Sequence, residues 1–181
     1  MSEESVTTNG TGGRRRSFRR DAGGATAVEF GLIAVPFIAM MVAIIEIGIT
    51  YFADNALDSA TAEAARLIRT GQAQAQGFDS AAFRDKVCDG VKPVFDCNGL
   101  KIDVRTSPDF STAAIAPPLK PDGTLDETQL GFNAGHGTDI VIVRVFYEWP
   151  AMLNFIDQNS TANGKHLLAA VTAFRNEPFN W

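Results

Sequence analysis

Two glutamates occur in a long apolar region near the amino terminus. Glu29 and Glu46 bracket a run from Phe30 to Ile45 that contains no charged residue. A carboxylate buried in lipid without a partner is costly, so an acid inside a membrane segment is a functional hypothesis by default. The chemistry that such an acid offers is pairing with a cation.

Each glutamate has a second interpretation. Glu29 is either buried in lipid, where it needs a positive partner, or it lies at the cytoplasmic interface, hydrated or paired with Arg20. Glu46 either pairs with a partner helix or marks the outer interface of the apolar region. The sequence leaves both choices open.

The two cysteines enclose a short loop. A zinc site would need more ligands than Cys88 and Cys97, and neither His136 nor His166 is near them in sequence. Export from the cytoplasm would allow the pair to oxidise. Closing this loop would stabilise the fold by roughly 2–3 kcal/mol on the chain-entropy estimate. We therefore predict a disulfide and no metal site.

The sequence contains no recognised catalytic motif. It lacks H-E-x-x-H, G-x-S-x-G and a phosphate-binding glycine loop. His136 is flanked by glycines, which is typical of a turn residue rather than a ligand. Asp122, Asp126 and Glu127 lack the ligand spacing of a calcium loop, so we expect a solvated turn there. We predict that the protein is not an enzyme and needs no cofactor.

The apolar region is long enough to cross a membrane. At about 1.5 Å per residue, the stretch from Phe30 to Ala53 spans a hydrocarbon core of roughly 30 Å. One central glutamate costs about 3 kcal/mol on insertion scales, and the apolar residues offset it at roughly 0.3–0.6 kcal/mol each. Basic residues precede the region at Arg14, Arg15, Arg16, Arg19 and Arg20. The positive-inside rule then predicts a cytoplasmic leader and an exported carboxyl-terminal part, and a nucleic-acid partner is not expected.

Helical periodicity continues beyond the apolar region. Apolar residues recur at helical spacing at Ala56, Leu57, Ala60, Ala64, Leu67 and Ile68. We predict one helix from about Ala25 to Thr70, terminated by Gly71. Pro36 should bend it, because proline cannot donate to the carbonyl of Leu32.

The rest of the chain predicts a small α+β domain. Three strands are indicated, by alternation from Leu100 to Arg105, by the apolar run from Asp139 to Trp149 before Pro150, and by residues 167–174. The first should be half-buried, with its charged residues toward solvent. Three antiparallel strands packed on the helix form a small core that gains from the disulfide.

Helices and loops complete this domain. Residues 72–77 form a polar connector, and Asp79 or Ser80 can cap a short helix through residues 83–87. A long loop is expected over residues 106–137, where most of the remaining prolines and glycines occur. A further short helix is expected near residues 152–156.

The start of the apolar helix resembles a known processing site. The residues are Gly23-Gly24-Ala25-Thr26-Ala27-Val28-Glu29-Phe30, and they are similar to the cleavage site of type IV prepilins. Pro36, Glu46-Ile47-Gly48 and Ala64-Ala65-Arg66 follow. Together they resemble the TadE-like minor pseudopilins of the tight-adherence (Tad, or Flp) pilus, over about Arg19 to Gln74.

The resemblance implies a processed membrane protein that takes part in pilus assembly or initiation. A prepilin peptidase would cut between Gly24 and Ala25, and the new ammonium of Ala25 would supply a positive charge for Glu29. The expected segments are the leader (1–24), the transmembrane helix (25–53), its amphipathic extension (54–71) and a periplasmic domain (72–181).

The resemblance also implies location and partners. The protein would be a single-pass protein of the inner membrane, with incorporation into the pilus as a further expectation. Its partners would be membrane lipid, the peptidase, other Tad pilins and pseudopilins, and inner-membrane assembly proteins. A filament tip, a basal initiator and a scaffold all remain open as roles.

Two other classes of protein compete with this interpretation. Arg15-Arg16-Ser17-Phe18 resembles a twin-arginine export signal, with Ala60-Thr61-Ala62 as a candidate signal-peptidase site that would release a periplasmic domain. Against it, the helical stripe runs through the proposed cut. The other class is an uncleaved single-span anchor with a binding domain, which has no need of the spacing from Gly24 to Glu29.

Overall fold

The computed structural model describes residues 22–92, 94–150 and 164–180. These residues form two compact units, divided between Val42 and Ala43. A single helix, α1 (Ala22–Arg69), contributes residues to both units. The long amino-terminal helix predicted from about Ala25 to Thr70 is therefore confirmed, whereas most of the predicted leader lies outside the described residues.

The first unit contains the amino-terminal half of α1. The helix continues through Pro36 without a break in its assignment. Its large apolar side chains are exposed, and they include Val28, Phe30, Leu32, Ile33, Val35, Phe37 and Ile38. Among the described residues, α1 is the one helix long and apolar enough to cross a membrane.

The second unit contains the carboxyl-terminal part of α1, two further helices and three strands. The helices are α2 (Gln72–Ala75) and α3 (Ser80–Val91), and the strands are β1 (Lys101–Ser107), β2 (Ile140–Pro150) and β3 (Lys165–Arg175). The strands are antiparallel in the order β1-β2-β3. This confirms the predicted α+β class with three antiparallel strands.

The ends of the helices follow from local chemistry. Gly71 has φ +79°, a left-handed conformation that suits glycine, and it ends α1 after the basic residues Arg66 and Arg69. The Asp79 side chain accepts a hydrogen bond from Ala82 N at 2.8 Å and caps α3, as predicted.

Several boundaries differ from the sequence prediction. Helix α3 begins at Ser80, as expected for a helix capped by Asp79, and it continues to Val91, beyond the predicted end at Val87. The polar connector contains the short helix α2. Pro150 is the last residue of β2, a position where the missing N–H costs little. The short helix expected near residues 152–156 lies outside the described residues.

One face of the sheet packs on α1. The β-branched residues of β1 and β2 alternate, and those on this face are Ile102, Val104, Val141, Val143 and Val145. They share one buried cluster with the helical stripe Ala53, Leu57, Ala60, Ala64 and Ile68. The stripe also meets α3, since a Cβ added at Gly90 would lie 2.8 Å from Ala60 Cβ.

The opposite face of the sheet is also covered, contrary to the prediction for β1. Asp103 is fully buried, with its carboxylate 2.6 Å from Arg144 Nη2 and 2.9 Å from Arg105 Nε. The long loop covers this pair, because Gly131 N donates to Asp103 and Arg144 donates to Ala116 O. Burying the Asp103 carboxylate alone would be costly, and its hydrogen bonds to Arg144, Arg105 and Gly131 offset that cost.

Candidate functional site

The candidate processing site lies in the first turns of α1. Gly24 and Ala25 are helical and exposed, and a Cβ built on Gly24 would meet no atom within 4 Å. A larger side chain therefore fits here in the folded protein, so packing within the described chain does not require glycine at this position.

Glu29 lies one helical turn after Ala25. Residues four apart share a helix face, with Cβ atoms about 5–6 Å apart. Glu29 is exposed, and its apolar neighbours Val28 and Phe30 are 67% and 74% exposed. The carboxylate is therefore one turn from the amino group that a cut before Ala25 would create.

Glu46 shares a helix face with buried residues of α1. The spacing from Glu46 through Thr50, Ala53 and Leu57 is four, three and four residues, which defines one helix face. Exposure falls along this face, since Glu46 and Thr50 are half-buried and Ala53 and Leu57 are fully buried. Glu46 thus lies on the face of α1 that packs on the sheet, a relation that the sequence analysis missed. Extending the buried stripe toward the amino terminus by helical spacing would have indicated it.

Acidic residues follow the apolar region. Asp54 and Asp58 are four residues apart on α1. Partial burial, and then the neighbouring Asp54 carboxylate, raise the pKa of Asp58. The ionised form of Asp58 is therefore disfavoured next to the Asp54 carboxylate.

The predicted disulfide is present. Cys88 on α3 is bonded to Cys97, with the two Cα atoms 5.5 Å apart. Cys88 is buried, and Cys97 begins a single 3-10 turn before β1. The bond ties the end of α3 to the start of the sheet.

The other polar residues considered from the sequence lie in turns. Asp122 accepts hydrogen bonds from Thr124, and Asp126 accepts from Thr128, which lowers the pKa of both carboxyl groups. His136 N donates to the Asp139 carboxylate at 2.8 Å. Within the described residues, no group of three or more His, Cys, Asp or Glu side chains is arranged to hold a metal ion.

Comparison with known proteins singles out the same part of the chain. Residues 24–66 match the sequence model of the family described as TadE-like protein. No curated protein and no solved structure shows a significant match. The matched residues include Gly24, Ala25, Glu29, Pro36 and Glu46, on which the resemblance was based. The chain therefore carries a TadE-like segment in helix α1, which associates it with the Tad pilus.

Proposed function

We propose that this chain is a minor pseudopilin that takes part in the assembly or initiation of a Tad/Flp adhesive pilus. The observation that carries the proposal is the acid Glu29, five residues after Gly24 in an exposed, apolar, TadE-like helix. In this proposal the protein has no enzymatic role. Its partners are a prepilin peptidase, other pilins and pseudopilins, inner-membrane assembly proteins and lipid.

Processing and assembly are linked through one charge pair. A cut between Gly24 and Ala25 removes the basic leader and creates an ammonium one turn from Glu29. In the apolar core of a membrane or filament, each charge stabilises the other and neither is stable alone. The pair forms within one chain or between neighbouring subunits.

The orientation follows from the leader. Five arginines lie between Arg14 and Arg20, so the leader stays in the cytoplasm and residues 72–181 form a periplasmic domain attached to the inner membrane by residues 25–53. The extension over residues 54–71 contributes Leu57, Ala60, Ala64 and Ile68 to the core that it shares with the sheet.

Release by signal peptidase fits the structure poorly. A cut after Ala62 would remove Ala53, Leu57 and Ala60, which are all buried in the core of the second unit. A domain without these side chains would have a large apolar opening and lose much of its stability. The uncleaved anchor remains the alternative, and it differs from the pseudopilin in retaining the leader.

The test is Glu29→Gln, which keeps the size of the side chain and removes its charge. The variant should insert and be cleaved, yet fail to co-purify with pilus components and fail to support piliation, because the ammonium of Ala25 loses its partner. Glu63→Gln is the matched control, since Glu63 is an exposed acid on the same helix beyond the apolar region. It should support normal piliation.

Normal piliation with Glu29→Gln would contradict the proposal. A hydrated glutamate at the interface would contribute less than about 1 kcal/mol, and its loss would have no visible effect.

A further inference from the structure

The two edges of the sheet differ in how their backbone groups are paired. At the β1 edge, Val104 N donates to Gly131 O and Asn133 N donates to Val104 O, both at 2.8 Å, so the long loop covers this edge. At the β3 edge, no hydrogen bond from the rest of the chain reaches residues 167–175 on the side away from β2. The described sheet therefore has one covered edge and one open edge.

The register of the strands shows which backbone groups of β3 are open. Asn176 N donates to Asp139 O at 2.8 Å, so the backbone groups of Asn176 point toward the β2 side. This direction alternates along a strand, so the even-numbered residues of β3 point toward β2 as well. The N–H and C=O groups of the odd-numbered residues point outward, and these residues are Leu167, Ala169, Val171, Ala173 and Arg175. At about 3.3 Å per residue, the open edge is about 30 Å long.

The open edge lacks the features that protect exposed strands. Natural edge strands carry prolines, bulges or charged residues that prevent pairing with another chain. Strand β3 pairs with β2 residue for residue over its whole length, so it has no bulge. Residues 167–174 include neither a proline nor a charged residue, and Val171 and Ala173 are exposed beside the edge. The edge is thus suited to pair with a further strand.

The charges at the two ends of β3 indicate what the further strand contains. Arg175 is exposed and forms no ion pair within the described chain, whereas Lys165 at the other end already pairs with Glu148 at 3.0 Å. An added strand can neutralise Arg175 with an acid at the adjoining position. A second copy of β3 cannot do so, because residues 165–175 contain no acid. The charges therefore favour a strand of a different protein.

We propose that a partner protein adds a strand to the open edge of β3. The added strand is uncharged where it runs along residues 167–174, and it carries an aspartate or glutamate beside Arg175. The inference rests on the proposed function, because the partner is another component of the pilus. The outward backbone groups of β3 then bond to the partner instead of water, and the exposed Val171 and Ala173 are covered.

Hydrogen exchange in the full chain tests this pairing. The wild-type protein is purified from membranes in mild detergent, once alone and once in complex with the pilus components that co-purify with it. The outward amides of β3 should exchange rapidly in the protein alone. In the complex their exchange should slow by roughly tenfold or more, because each gains a hydrogen bond. The amide of Val104 is already bonded to Gly131 and should not change.

Proline at an outward position tests the same edge by substitution. Ala173→Pro removes an outward N–H, a change that an edge strand tolerates, so the thermal midpoint of the domain should be kept. Association with the pilus components should fall by at least about tenfold, because a hydrogen bond is lost and the ring obstructs the added strand. Ala173→Val is the matched control, since valine keeps the N–H and suits a strand. Arg175→Gln should weaken association by up to about fivefold, the effect of an exposed ion pair.

Four results would contradict this account. If the complex forms while β3 exchange is unchanged and Ala173→Pro associates normally, the partner binds elsewhere, and this inference alone is wrong. If the outward amides are slow in the protein alone and become fast on dilution, a second copy occupies the edge instead of a partner. A lower thermal midpoint for Ala173→Pro than for Ala173→Val would show that the Ala173 N–H does not point outward. If the wild-type chain co-purifies with no pilus component, the proposed function is wrong as well.

Discussion

The two parts of helix α1 differ in the size and the surroundings of their apolar side chains. From Val28 to Phe52 the side chains are mostly large and exposed, whereas the stripe from Ala53 to Ile68 is rich in alanine and buried in the core that it shares with the sheet. The second part is covered by its own domain. The first part needs cover from lipid or partner helices. Substitutions in the second part should therefore change folding, and substitutions in the first should change assembly while the domain stays folded.

Asp103→Ala should have the largest effect on folding. It leaves Arg144, whose side chain is 4% exposed, buried without its carboxylate. Removing one partner of a buried pair typically costs about 3–5 kcal/mol. Chemical denaturation in detergent micelles, followed by near-ultraviolet circular dichroism, measures the loss.

The matched control for Asp103 is Arg105→Gln. Arg105 is the exposed partner of the same carboxylate, so its loss should cost less than about 1 kcal/mol. Glu29→Gln should cost nothing in the same assay. Equal losses of unfolding free energy for Asp103→Ala and Arg105→Gln would show that the buried pair of Asp103 and Arg144 contributes no more to stability than the exposed Arg105.

Loss of the disulfide should have a smaller effect than loss of the buried Asp103 carboxylate. The double variant Cys88→Ala, Cys97→Ala should unfold with a free energy lower by about 2–3 kcal/mol, because the unfolded chain regains the freedom that the bond removes. Reductant should lower the denaturation midpoint of the wild type and leave that of the variant unchanged. Thiol labelling of unfolded wild-type protein without reductant would contradict the presence of the bond.

Gly71→Ala should destabilise the domain more than Gly123→Ala. Both glycines have positive φ, +79° and +80°, so an alanine at either position costs roughly 1–2 kcal/mol. At Gly71 an added Cβ would also lie 2.6 Å from the Phe179 ring, whereas at Gly123 it would meet nothing within 4 Å. Overpacking typically adds about 1–3 kcal/mol. Equal thermal midpoints for the two variants would show that the Phe179 contact is unimportant.

The regular elements could be predicted because their signals are local. The helical stripe of α1, the alternation in the strands, the cap at Asp79 and the short cysteine loop are each contained in a few neighbouring residues. The burial of Asp103 could not be predicted in this way, since its partner Arg144 is 41 residues away and its cover comes from an irregular loop. A charged residue in an alternating strand ordinarily faces solvent, so the local pattern indicated the wrong environment.

The surroundings of the candidate site were only partly predictable. The spacing from Gly24 to Glu29 is contained in the sequence. The position of Glu46 on the sheet-facing side of α1 depends on which face of the helix packs on the sheet. The contact of Phe179 with Gly71 joins residues that are far apart in the chain. The position of Glu46 follows from helical spacing once the buried stripe of α1 is known, whereas the contact between Phe179 and Gly71 leaves no periodic signal.

Cleavage between Gly24 and Ala25 is central to the proposed function, and the amino-terminal sequence of the protein isolated from membranes tests it most directly. We predict that the mature chain begins Ala25-Thr26-Ala27-Val28, and that Gly24→Leu keeps the leader while leaving the domain's stability unchanged. The second expectation follows because a side chain at Gly24 meets nothing in the folded protein. A wild-type chain that retains the arginines from Arg14 to Arg20 would show an uncleaved anchor, and one that begins after Ala62 would show an exported domain; either result would contradict the proposed pseudopilin.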